Sequence, residues 1–112
     1  MDNDEKQQIY DDFNQSVNMA PKELEDWLAS DESKSVGYTR EGEDEAVGHK
    51  SGKRIGQIKR TKKDDLTDDD YAHMKKVNGY VQRHLAQGGP DEDVATSAWR
   101  YSLMNWGHDP QK

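Results

Sequence analysis

The chain has no cysteine, and among its 112 residues there are only three prolines and one phenylalanine. Without thiols there is no disulfide, no thiolate nucleophile and no thiolate-bound zinc, so packing and helix caps must hold any fold together. Long apolar runs are missing too: nothing approaches the roughly 20 apolar residues that span a bilayer. The opening MDNDEKQQ lacks the basic-then-apolar order of a signal peptide. A cytoplasmic protein with no membrane contact is expected. Aliphatic residues are scarce as well. Leu, Ile, Val and Phe together number fifteen while charged residues make up 35%, a balance that leaves little apolar surface to offset ordering entropy. Three Trp and five Tyr work against this, since each buries a large area. The length suits one domain with a small, aromatic-rich core.

Apolar spacing then points to helices throughout. Ile9, Tyr10, Phe13 and Val17 form one stripe of a helix over 5–17. Pro21 opens a second, with Glu23 near its positive end and Leu24, Trp27 and Leu28 along its face. From Ser30 to Lys50 the periodicity disappears; Gly37, Gly42 and Gly48 punctuate acidic and hydroxyl residues, with Val36, Tyr38 and Val47 as anchors, which reads as a long loop. Ser51 is the next N-cap candidate, for a helix through Ile55 and Ile58 to about Lys63. Thr67 and Asp70 have the spacing of a capping box, flanked by Leu66 and Tyr71 at the staple positions, so a helix starts at Asp68. Tyr71, Met74, Val77, Val81 and Leu85 continue it until Gly88-Gly89-Pro90. Trp99, Leu103 and Trp106 mark a last helix, ended by Gly107. The expected architecture is all-α: a bundle of about five helices with a long glycine-containing acidic loop, a disordered N-terminus at 1–4, one helical domain over 5–107 and a C-terminal tail over 108–112.

Charge is distributed in blocks. Residues 49–63 hold seven of the sixteen lysines and arginines and no acid, so this segment carries +7 between flanks of −10 and −4 in a chain of net charge −7. Focused local charge, rather than net charge, attracts phosphates. With a helix starting after Ser51, its free N–H groups, Lys50, Ser51, Gly52, Lys53 and Arg54 converge on one phosphate, and the glycines permit close backbone approach. At about 100° per residue, Lys53, Arg60 and Lys63 share an arc, whereas Lys59 and Lys62 fall near the Ile55 and Ile58 side. The bland alternative is that this helix neutralises the acidic segments around it within its own fold.

Other chemistry finds little support. The Gly48 to Lys53 spacing is one residue short of a phosphate-binding P-loop, and Arg54 stands where Ser or Thr is needed. A helix-turn-helix would present Asp68-Asp69-Asp70 to the phosphates. Asp69 and His73 are one helical turn apart, but two ligands do not make a metal site. Trp99 and Trp106 read as core rather than as a base-stacking platform. No catalytic set, metal or cofactor is expected.

The segments Glu45-Ala46-Val47-Gly48-His49-Lys50-Ser51-Gly52-Lys53-Arg54-Ile55, Leu66-Thr67-Asp68-Asp69-Asp70-Tyr71-Ala72-His73-Met74-Lys75-Lys76-Val77 and Trp99-Arg100-Tyr101-Ser102-Leu103-Met104-Asn105-Trp106-Gly107-His108-Asp109-Pro110, with Ser35-Val36-Gly37 before them, carry a resemblance. From about Phe13 to the C-terminus the chain resembles the small proteins of domain of unknown function 3140. The resemblance implies short stand-alone proteins, some of them labelled DNA-binding, and brings no catalytic residues. The functional expectation is therefore non-enzymatic, sequence-nonspecific binding of a DNA or RNA phosphate backbone by Lys50, Ser51, Gly52, Lys53, Arg54, Lys59, Arg60, Lys62 and Lys63. The alternative is a protein-interaction module whose basic helix meets an acidic partner or a second copy.

Overall fold

A computed structural model describes residues 1–37, 39, 41, 42 and 45–112. Six α-helices follow in order: α1 (Asn3–Ser16), α2 (Pro21–Leu28), α3 (Asp31–Lys34), α4 (Val47–Lys59), α5 (Asp68–Gln87) and α6 (Ala98–Asn105). Short 3-10 turns at Lys63–Asp65 and Val94–Thr96 precede the last two, and there is no strand among the described residues. The all-α expectation holds.

Local chemistry sets most boundaries. Asp2 caps α1 by accepting from the Glu5 N–H at 2.7 Å, so the first helix begins two residues before the expected one and includes residues read as a disordered start. Ala20 has no capping side chain, but Glu23 reaches back to the Ala20 N–H at 3.2 Å and supplies half a box. At α5 both halves form: Thr67 Oγ1 accepts from the Asp70 N–H at 3.1 Å and Asp70 Oδ2 from the Thr67 N–H at 3.0 Å. The end of α5 falls at Gly88, where φ is 77°, a left-handed value that glycine adopts without strain.

The core joins α1 to α5 through Ile9, Phe13, Met74, Val77 and Val81, and α2 to α4 through Leu24, Leu28, Ile55 and Ile58. The short α6 touches α2, α3, α4 and α5 and places Leu103 at the centre. Asn105, which is 1% exposed, ties this arrangement together: its Oδ1 accepts from Trp27 Nε1 at 2.8 Å and Ser33 Oγ at 2.6 Å, and its Nδ2 donates to the Ser33 carbonyl. A buried amide with all these partners specifies how α2 and α3 sit on α6.

Two stretches differ from expectation. The long loop is shortened by α3, capped by Ser30, and by the early start of α4; Tyr38, one of its expected anchors, lies outside the described residues. The C-terminal segment is packed rather than a tail. Asp109 is 8% exposed and accepts from Arg100 Nε and Nη2 at 3.1 and 3.0 Å, while its backbone exchanges two hydrogen bonds with the Asn18 side chain.

Candidate nucleic-acid interface

The basic segment lies on α4, yet the helix does not start where the charges suggested. It begins at Val47, after Ala46, so Gly48, His49, Lys50, Ser51 and Gly52 are helical, with no Ser51 cap and no glycine loop feeding the helix. Packing rather than capping sets this start. Glycines at 48, 52 and 56 fall at four-residue spacing on one face, and removing the side chains there lets neighbours approach the helix backbone. A Cβ on Gly52 would lie 2.4 Å from the Asn105 carbonyl oxygen and 2.7 Å from Leu28, and one on Gly48 would lie 2.9 Å from Trp106 Nε1. Buried Ser51 bonds His73 Nε2 through its hydroxyl at 2.9 Å. Buried His49 reaches the Leu28 carbonyl through Nε2 at 2.7 Å and Glu45 through Nδ1, tying the end of α2 to α4. Gly52 therefore serves packing, while Ser51, though buried, also lines a hollow together with Lys50, Arg54 and Lys76.

Many of the segment's cations are occupied within the fold. Arg60 makes two bonds to the Glu25 carboxylate, at 2.8 and 2.9 Å. These bonds raise the guanidinium's affinity for its proton and hold the Glu25 carboxyl below its ordinary range. Lys53 lies 2.6 Å from Glu45. Half-buried Lys59 bonds Asn14 at 3.1 Å and sits 5.8 Å from the centre of the Phe13 ring; burial pushes its ammonium's pKa down. Lys63 bonds Gln7 and lies over Tyr10. Arg54 reaches Asp70 only at 3.5 Å, and exposed Lys62 has no partner among the described residues. Neutralisation of nearby acids accounts for Arg60 and Lys53, whereas Lys59 and Lys63 meet the neutral amides of Asn14 and Gln7 and keep their charge uncompensated there.

A different cationic surface forms where α4 faces α5 and α6. Two hollows meet there, of about 320 Å³ and about 240 Å³, sharing Val47, Lys76 and Trp106. Among the described residues their charged lining consists of Lys50, Arg54, Lys76 and Arg83, with no carboxylate, in a chain whose acids outnumber its bases. Lys76 and Arg83 are exposed and carry no ion pair among the described residues. Beneath them runs a column of nearly parallel rings, His73, Trp106, Tyr80, His84 and Trp99; Trp106 and Tyr80 are closest, with centroids 4.2 Å apart. Burial, then the nearby Arg54 and Lys76 charges, lowers the His73 pKa to about 4, so this ring is neutral near pH 7. Among the described residues no three His, Asp or Glu side chains gather to hold a metal ion, and no helix is long and apolar enough to cross a membrane.

The model of the family described as "Protein of unknown function (DUF3140)" matches residues 12–104. The chain belongs to that family. No curated protein and no solved structure matches the DUF3140 chain. The match spans α4, α5 and nearly all of α6, and so includes both hollows apart from the Asn105 and Trp106 positions. Lys76 and Arg83, seven residues apart on α5, were not among the sequence candidates. Their i, i+7 spacing places them on one face, but only the opposed α4 makes that face a groove.

Proposed function

We propose that this protein binds nucleic acid through the phosphate backbone, without reading sequence and without catalysis, on the α4–α5 face rather than at a helix start. The observation carrying this reading is the pair of adjoining hollows lined by Lys50, Arg54, Lys76 and Arg83 and, among the described residues, by no carboxylate. A patch of one sign beside low-dielectric ring surfaces focuses potential even when the whole molecule is anionic. Four phosphate contacts give a salt slope of log K on log salt between about −2.8 on a single strand and about −3.6 on a duplex. Retention of a labelled oligonucleotide measured across a salt series tests this. Lys76→Glu with Arg83→Glu should abolish retention, because neither residue makes an ion pair among the described residues that the change would break. Arg60→Ala should change it little, since Glu25 already occupies that guanidinium. Absence of binding at low salt, or a slope near zero, rejects the proposal.

A further inference from the structure

The larger hollow contains a donor without an acceptor. Trp106 is 5% exposed, yet its indole N–H has no hydrogen-bond partner among the described residues, unlike those of Trp27 and Trp99, which donate at 2.8 and 2.9 Å. The atom is not sealed in the interior, where Asn78 Oδ1 and His84 Nε2 are the partnerless polar atoms, and Trp106 lines both hollows. The donor lies beside Gly48, in the first turn of α4, which has no side-chain cap. Walls from Val47, Tyr80 and Trp106 make the space largely apolar, and Lys76 and Arg83 line it with unpaired positive charge. About 320 Å³ lies within the range of small-ligand pockets.

Resting on the nucleic-acid reading, we infer that this hollow receives one unpaired base of a single strand, with the flanking phosphates on Lys76 and Arg83. A nucleobase has apolar faces suited to ring-lined walls, and every base carries an edge acceptor for the indole N–H, so the contact tolerates any sequence. Satisfying a nearly buried donor favours such an occupant over a purely apolar one. A duplex keeps its bases stacked and paired and presents only its backbone to the same cations.

Fluorescence anisotropy of labelled thymidine dodecamer, against a duplex of equal length at the same low salt, tests the inference. The strand should bind at least about tenfold more tightly than the duplex. Trp106→Phe, which keeps an aromatic ring but removes the pyrrole part of the indole with its donor, should weaken strand binding about fivefold and leave duplex binding unchanged. Ser102→Phe, which fills the hollow from its wall, should abolish the preference, and it carries the test if circular dichroism shows that Trp106→Phe is unfolded. Equal binding of strand and duplex, or equal strand binding by the folded variants and the parent, overturns the base-receiving hollow while leaving backbone binding intact. Failure of both nucleic acids to bind rejects the underlying proposal instead.

Discussion

Alanine at Gly52 and at Gly56, one turn apart on α4, should have opposite effects. Within a helix, Ala is favoured over Gly by about 0.5–1 kcal/mol, because Gly loses more backbone freedom on folding. At Gly56 nothing opposes that gain: the nearest atom to an added Cβ, Glu25 Oε2, is 3.9 Å away. At Gly52 the Cβ would meet the Asn105 carbonyl oxygen at 2.4 Å and Leu28 methyl carbons at 2.7 and 3.1 Å. Leu28 can turn, but the carbonyl belongs to backbone at the end of α6, so α4 and α6 must separate. Overpacking of this kind costs about 1–3 kcal/mol, and a backbone obstacle places Gly52 toward the upper end. After subtracting the propensity gain, Gly52→Ala should lose about 2 kcal/mol and Gly56→Ala gain about 0.5–1 kcal/mol. For a domain of this size these correspond to melting temperatures lower by about 10 °C and higher by about 3–6 °C. Thermal unfolding followed by circular dichroism at neutral pH reads both directly. The comparison also separates the two explanations of Gly52. A glycine retained to admit a phosphate would tolerate alanine in the free protein and lose only binding. Unchanged or increased stability of Gly52→Ala would therefore refute the packing account of α4.

Two further outcomes follow from buried ionisable groups. His73 has a folded pKa of about 4, below the ordinary imidazole value of 6.5, so the unfolded chain takes up its proton first as pH falls. Its contribution is complete above pH 6.5 and lost toward pH 4; after discounting for partial solvent exposure this amounts to roughly 1–2 kcal/mol. Burial lowers the His84 pKa in the same direction. Urea midpoints at pH 7.5 and 4.5 should differ accordingly, and less so in His73→Gln; an undiminished difference in that variant assigns the loss elsewhere. Burial opposes ionisation of Asp109, yet bonds from Arg100 and the Gln111 N–H hold its carboxyl below the ordinary range. Asp109→Asn removes the charge that compensates Arg100 and should cost about 2 kcal/mol in chemical denaturation. A cost near zero would show that the C-terminal segment does not secure α6.

The start of α5 is legible in the chain because its determinants are three residues apart: Thr67 and Asp70 exchange bonds whatever surrounds them. The stripes Ile9–Phe13 and Met74–Val77–Val81 are likewise local records of buried faces. The start of α4 has no such record. Ala46 provides no cap, and the order of Gly48 through Gly52 comes from residues far along the chain, Trp106 and Asn105. The spacing of glycines at 48, 52 and 56 was the available signal, and it resembles loop punctuation until a packing partner is known. Charge is similarly nonlocal. Arg60 finds Glu25 and Arg54 approaches Asp70 from other helices, so a block that looks free in one dimension is partly neutralised in three.

Helix identity, the α5 cap and the excess of positive charge on one segment follow from composition and spacing, since each depends on residues within a turn or two of one another. Which cations remain unpaired, and that Lys76 and Arg83 join Lys50 and Arg54 above a column of rings, depends on how α4, α5 and α6 meet. That decision belongs to tertiary packing, because ion pairing and groove formation depend on distances in space, and neighbours in space here are separated by tens of residues in sequence.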